Sequence, residues 1–331
     1  MQHYFRGKWG SQGTGDGQFY TATGITVDSH GNVYVSDINN HRIQKFTSRG
    51  IFLAKWGSFG TGDGEFKRPI AIAVDSNDDI YVVDQHNYRI QKFTNNGDFI
   101  TKWGSFGTGD GQFDTLYDIA IESDDDIVVT DFANYRIQKF TSDGEFIRKW
   151  GEYGFDDNQF VSIFGIAVDS NDDIYVGDAG QHCIKKFTRT GTFIKKWGER
   201  GTGPGQFGFP LGIACFPGNS VLVVDRGNYC IQEFSRDGTF ITKWGSEGTK
   251  DGEFRNPWGV GINKTTGMHY ITDQWNDQVQ RFSSDPGIVG PFPDEIEEEL
   301  ERLSIVEKKT QTEIVILALK DYLKKRDRTD L

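Results

Sequence analysis

The sequence predicts an all-β fold, a six-bladed β-propeller of four-stranded blades with a short two-helix tail behind it. Three observations carry that prediction. Lys-Trp-Gly recurs with its tryptophan at Trp9, Trp56, Trp103, Trp150, Trp197 and Trp244, at a constant interval of 47 residues. A fixed period of this length marks an array of small units, none of which can bury its apolar face alone. Each full period holds four strand-like segments. The sixth period stops after its third segment, at Gln280-Arg-Phe282, while the chain opens on a spare fourth, Tyr4-Phe-Arg-Gly-Lys-Trp9. Four-stranded sheets set radially make a propeller, and pairing the first segment with the last closes it.

Repeat two shows the grammar. Ile70-Ala-Ile-Ala-Val-Asp75 is an apolar run suited to an inner strand, Ser76-Asn-Asp-Asp79 is turn chemistry, and Ile80-Tyr-Val-Val-Asp84 is a second strand. Gln85-His-Asn-Tyr88 leads into Arg89-Ile-Gln-Lys-Phe93, and Asn95-Asn-Gly97 turns into Asp98-Phe-Ile-Thr-Lys-Trp103. Copies begin at 24, 71, 118, 165, 212 and 259, so residues 1–282 form the propeller and 283–331 the tail.

Composition narrows the function. The chain has 331 residues, 41 of them glycine, with 14% aromatics and 36% hydrophobic residues, which suits short strands and tight turns. Net charge is −12. Residues 283–331 hold 12 acids against 8 bases, so −4 belongs to the tail and −8 to the repeats. An acidic surface argues against non-specific polyanion binding and so disfavours nucleic acid as a partner. Three cysteines make no disulfide framework. No run reaches the roughly 18 apolar residues of a membrane span. The opening residues lack the apolar core of a signal peptide, and a cytoplasmic protein is expected.

Gly-Ile-Ala-Val-Asp, Ile-Tyr-Val-x-Asp, Asn-x-Arg-Ile-Gln-Lys-Phe and Gly-x-Phe, nearly complete in the first three repeats, resemble the NHL-repeat family over roughly residues 4–282. The resemblance implies a six-bladed propeller serving as a platform for protein or RNA partners. Repeats four to six depart from the pattern. Arg42, Arg89 and Arg136 give way to Cys183, Cys230 and Gln278, repeat five has Cys215-Phe-Pro-Gly-Asn in place of the acidic turn, and repeat six has the longer Asn263-Lys-Thr-Thr-Gly. Such departures predict a ring that is not functionally symmetric.

Several motifs invite catalytic or metal readings that physical chemistry makes unattractive. The aspartate ending strand two occurs six times, at Asp37, Asp84, Asp131, Asp178, Asp225 and Asp273. A ring does not need six copies of one active site; a carboxylate there can collect loop N–H groups and pair with the arginine opening strand three. The acidic turns at 75–79, 122–126 and 169–173 lack a calcium loop's terminal bidentate glutamate and sit where hairpins must turn. Gly-Thr-Gly-Asp-Gly has no helix behind it to complete a phosphate site. His41, His86 and His182 fall in three blades without a carboxylate or nucleophile at repeatable spacing, and Cys183 and Cys230 read as small fillers of the lost arginine slot. No catalytic residue, metal site or cofactor is expected.

One pattern points to binding. Strand one begins and strand two ends on the same rim, so Ile70, Tyr117, Phe164, Leu211 and Trp258 should ring the channel mouth. Phe132, Tyr88, Tyr135, Tyr229 and Trp275 should decorate the loops beside them. The acidic turns belong to the opposite rim. Apolar groups on one face and acids on the other is the layout of a one-sided platform for a protein or peptide, unless the aromatic rings plug the channel instead.

In the tail, Asp294 caps a first helix with Ile296, Leu300 and Leu303 at helical spacing, and Thr310-Gln-Thr-Glu313 opens a second. Ile314, Val315, Leu317, Leu319 and Tyr322 leave that second helix apolar on more sides than one neighbour can cover. The tail resembles the ribbon-helix-helix family, whose members form intertwined dimers that read DNA. The candidate strand, Ile288-Val-Gly-Pro-Phe292, has no base, so homodimerisation carries over better than DNA binding. The expected function is a non-catalytic scaffold, with nucleic-acid binding or a channel-metal hydrolase or lyase as alternatives.

Overall fold

Each period of the sequence becomes one four-stranded antiparallel sheet in the computed structural model, which describes residues 2–216 and 220–284. Blade one runs Ala22–Val27, Val33–Asp37, Arg42–Phe46 and Phe52–Trp56 from the channel outward, and blades two to five repeat that order. Inner strands are covered on both faces by neighbouring blades, so they are apolar without alternation; Ile80–Asp84 is buried at every residue. The outermost strand has only one neighbour. Phe99–Trp103 accordingly alternates half-buried and exposed.

The sixth sheet closes as expected. Tyr4–Trp9 lies beside Gln278–Ser283, followed inward by His269–Asp273 and Pro257–Ile262. Its register pairs Phe5 with Phe282 and Trp9 with Val279, with a bulge after Phe5. The tryptophan that punctuates the sequence is the mortar between blades. Trp9 lies against the hairpin of blade one, where Gly50 has φ +84° and a Cβ would fall 2.3 Å from the indole. Only glycine fits that turn on both counts. The phenylalanine that ends each entering loop (Phe19, Phe66, Phe113, Phe160, Phe207, Phe254) is fully buried; it follows Gly-x in every blade but the fourth, where Asn158-Gln159 precede Phe160.

The six strand-two aspartates are scaffold. Asp84, fully buried, accepts the Lys67 backbone N–H at 2.7 Å, the Asn87 amide at 2.8 Å and Arg89 Nε at 2.8 Å. Arg89 spends its remaining donors on the carbonyls of Thr61, Gly62 and Glu65, tying down the loop that enters the blade. Arg42 and Arg136 repeat this clasp. Burial pushes the Asp84 carboxyl up, and its hydrogen bonds and the guanidinium pull against that. In blade four Lys185 reaches the carbonyls of Asp156 and Gln159 instead, beside a buried Cys183. In blade five Lys243 takes the Thr202 carbonyl at 2.8 Å, beside a buried Cys230. Burial pushes both thiols up to about 12, the state of inert fillers.

The acidic turns are hairpin chemistry with an added role. Asp75 accepts the N–H groups of Asn77 and Asp79 and the Tyr81 hydroxyl, and pairs with Lys92 at 3.2 Å. The next aspartate staples adjacent blades. Asp78 accepts the Ser29 N–H and hydroxyl, as Asp125 does for Ser76 and Asp172 for Ser123.

Closure has its own chemistry. His3 donates through Nε2 to Glu233 at 2.9 Å and meets His269 Nε2 through Nδ1 at 3.0 Å, while stacking on Trp244 at 3.6 Å. His269 Nδ1 lies 3.2 Å from the Gly267 carbonyl, so it carries the proton and Nε2 accepts. Burial, then the neighbouring His3, push His269 down to about 3. Burial opposes ionisation of Glu233, but the hydrogen bonds from His3 and Ser220 win and hold it below the usual carboxylate range. The proposed dimerisation residues Ile296, Leu300, Leu303, Ile314, Val315, Leu317, Leu319 and Tyr322 lie outside the described residues.

Candidate binding face

The upper rim, where strand two ends, is built by two loops per blade. In five blades a single 3-10 turn follows strand two and closes on a left-handed residue: His41, Tyr88, Tyr135, Tyr229 and Asp277, with φ between 46° and 54°. That conformation is uncommon for residues with a Cβ, and here it aims the side chain outward over the incoming loop. There it meets an aromatic group. His41 packs on Phe59, Tyr88 on Phe106 and Tyr135 on Tyr153, each pair 5.0 Å between centroids. Phe59, Phe106, Tyr153 and Phe155 are 66, 62, 59 and 67% exposed, so this arc offers its faces to solvent. At the position of Phe59, blades elsewhere in the ring carry Gln12, Arg200 and Glu247.

The centre of the face is a plug rather than an open ring. Tyr117 packs edge-on against Phe164 at 4.5 Å and Phe132 at 5.1 Å, and lies near-parallel to Trp258 at 6.4 Å across the channel from blade three to blade six. Phe209 joins through Phe164 at 5.1 Å. Ile70, Phe164 and Leu211 are buried, and Tyr117, Phe132 and Trp258 are half-buried in the same cluster. The expected mouth residues are therefore brought together, but they spend their apolar surface on one another. Trp275 is 64% exposed, and Tyr229 is half-buried beside the turn it closes.

Beneath the plug lies a cavity of about 480 Å³ lined by the first strands of all six blades. Asp118 stands in its wall, where the other blades have Gly24, Ala71, Gly165, Gly212 and Gly259. Its carboxylate accepts the Ile119 and Ile166 N–H groups at 2.9 and 3.0 Å, while burial pushes it up to about 7. A carboxyl that titrates near neutrality could accept or give a proton.

Glu122, Asp124 and Asp126 have the spacing of a metal site. Two cations of the chain already sit among them. Lys139 contacts Glu122 at 2.5 Å and Asp126 at 3.0 Å, and Arg189 reaches Glu122 at 2.9 Å and Asp124 at 2.5 Å. His41, His86 and His182 do not converge with carboxylates in any other such group among the described residues. Burial and then Arg68 push His41 and His86 down.

The exposed arc was missed in the sequence reading, although its signal was there: an aromatic residue three places after the tryptophan in three consecutive periods. No helix among the described residues is long and apolar enough to cross a membrane.

Comparison with known proteins agrees with this architecture. The NHL repeat model matches residues 19–46, 66–93, 165–187 and 207–234. No curated protein matches the chain. Among solved structures, a streptogramin B lyase is 17% identical with a TM-score of 0.57, covering 85% of this chain and 97% of its own. A gluconolactonase from Xanthomonas campestris is 13% identical with a TM-score of 0.60, covering 81% and 87%. The WD40 β-propeller domain of Doa1 is 10% identical with a TM-score of 0.56, covering 86% and 98%. At these identities the likeness is one of fold alone.

Proposed function

From a six-bladed ring carrying NHL repeats in blades one, two, four and five, we propose a non-catalytic scaffold that binds a protein or peptide on its upper face. The observation that supports it is the arc of Phe59, Phe106, Tyr153 and Phe155, four aromatic side chains each more than half exposed on one rim. Large aromatic anchors supply most binding energy at typical interfaces, and here they stand on three successive loops of one rim. Affinity capture with the intact protein, repeated with Phe59→Ser and Phe106→Ser, tests it. A partner retained by wild type and lost by the double variant is expected. Partners that persist on that variant, or vanish only when Asp78 and Asp79 are replaced, overturn it.

Homodimerisation through residues 283–331 belongs to the same proposal. Light scattering should give twice the chain mass for the full protein and one chain mass without those residues. A second reading, a hydrolase or lyase working in the channel, has Asp118 in its favour. It requires an activity that Asp118→Asn abolishes at unchanged stability.

A further inference from the structure

We infer that the hub of the upper face, where Arg68 and Arg226 flank Tyr117, anchors carboxylates of an acidic, aromatic-bearing peptide segment of a partner protein. This rests on the protein-binding reading above and adds the chemistry of what is bound.

In a chain with 48 acids against 36 lysines and arginines, buried cations find carboxylates. Arg42, Arg89, Arg136, Lys92, Lys139 and Lys186 all do. Among the described residues, Arg68 and Arg226 form no ion pair. Arg68 precedes the first strand of blade two, with φ +60°, and its Nε is buried without an acceptor. Arg226 opens the turn after strand two of blade five. Its Nε donates to Asn256 Oδ1 at 2.5 Å, and its plane lies over Phe209 at 5.6 Å and Trp258 at 5.4 Å. Arg226 lies over Trp258, which stacks with Tyr117, and Arg68 stands two residues before Ile70, a member of the same Tyr117–Trp258 cluster, so the two cations belong to the rim of one plug, on opposite blades; both act electrostatically on the Tyr117 phenol. Burial pulls Arg226 down, and only the Tyr117 and Tyr229 phenols work in the other direction.

Holding a half-buried guanidinium without an anion is costly, and the cost is removed when a carboxylate arrives. The guanidinium fork matches a carboxylate with two parallel N–H donors, and aromatic stacking already orients Arg226 for that contact. The surroundings select the partner class. Asp63, Glu65, Glu152, Asp156, Glu199 and Glu247 lie on the loops of this rim and oppose a long polyphosphate crossing it. A peptide with carboxylates confined to the hub and apolar residues over Phe59 and Phe106 meets no such opposition.

The test is fluorescence anisotropy at low salt with fluorescein-labelled Phe-Gly-Glu-Glu-Gly-Phe, its glutamine counterpart, and octauridylate. The glutamate peptide should bind at least about tenfold more tightly, the weight of one charge-assisted hydrogen bond. Arg68→Met should weaken the glutamate peptide severalfold toward the level of the glutamine peptide and leave the latter unchanged. Arg226→Met should act alike, but it also removes packing on Trp258; Arg68→Met is the decisive variant, because the Arg68 side chain makes no hydrogen bond to a described residue. Equal affinity for the two peptides, no effect of Arg68→Met, or tighter binding of octauridylate lost on the same substitution overturns the inference. If both peptides bind equally and Phe59→Ser weakens both, the inference falls while the protein-binding reading stands. A ring that binds neither peptide overturns the inference, and the reading is then decided by the capture comparison.

Discussion

Blades one to three and blades four to six have the same strands and solve the same loop problem with different side chains. In the first half an arginine joins the buried aspartate to three loop carbonyls, and the rim above carries exposed aromatic pairs. In the second half the arginine is gone, lysines Lys185 and Lys243 reach the carbonyls, and the positions of the exposed aromatic groups are taken by Arg200, Glu247 and Gln12. The aspartate persists through all six because its first duty is to backbone N–H groups, which every blade has. The arginine is dispensable wherever another donor reaches the loop. The contrast separates what a blade needs from what this ring adds.

The severest way to break the comparison is to take away the closure that the second half depends on. Deleting residues 2–9 removes the outer strand of blade six, leaves the Gln278–Ser283 edge unpaired and strips His3 from Glu233. A melting temperature lower by at least about 10 °C, or aggregation, is expected, since several kcal/mol are lost at a few degrees each. A melting curve that does not move would mean that stacking alone holds the ring.

Next in size is a paired substitution. Arg89→Met should cost about 3–5 kcal/mol, because it leaves the fully buried Asp84 without its cation and the Thr61 carbonyl without its donor, while the Gly62 and Glu65 carbonyls keep the Glu65 N–H and the Gln91 amide. Cys183→Ala, at the equivalent position of blade four, should cost about 1 kcal/mol, as a small apolar truncation does. Urea denaturation of both variants measures the difference. Equal losses would show that the two halves are not held differently.

The ring's architecture was legible because it is periodic. Trp9 to Trp244 gave the unit, and the truncated sixth copy gave the closure without any tertiary information. The face was less legible because its contacts cross the ring. Tyr117 meets Trp258 from 141 residues away, and no spacing in the sequence gives the width of the channel they close. Ile70, Phe164 and Leu211 had the composition of binding anchors and the burial of core. The His3, His269 and Glu233 cluster left a faint trace. Glu233 stands where four blades have lysine (Lys45, Lys92, Lys139, Lys186), and His269 where the others have valine or isoleucine, two departures in neighbouring repeats. What no sequence pattern could supply was that the N-terminal His3 lies between them.

That cluster sets the third prediction. His269 has a folded value near 3 against 6.5 unfolded, so the unfolded chain binds the extra proton first. Its contribution is complete above pH 6.5 and is lost as pH falls toward 3, about 2 kcal/mol of it by pH 5. Glu233, held low in the fold, works in the same direction below the usual carboxylate range. Asp118 works in the opposite one. Raised to about 7, it favours the fold as pH falls from 7 toward 4, so the wild-type curve alone mixes the two. The difference between wild type and His269→Val isolates the cluster. The variant should lose less stability between pH 7 and 5, and parallel profiles would show that the His269 proton is not linked to closure.

The smallest effect on folding should come from the arc, which is what makes it informative. Phe59 and Phe106 are 66 and 62% exposed; Phe59 touches His41 and lies under the Lys67 ammonium, and Phe106 touches Tyr88. Surface substitutions without buried hydrogen bonds or cavities usually stay within about 0.5 kcal/mol. Phe59→Ser and Phe106→Ser should therefore leave urea midpoints almost unmoved while the captured partner is lost, and Ser in place of Phe160, buried in the next blade, should unfold that blade's loop. If the exposed pair proves as costly to folding as Phe160, the arc is part of the scaffold after all. In that case the distinction between the halves is only one of packing.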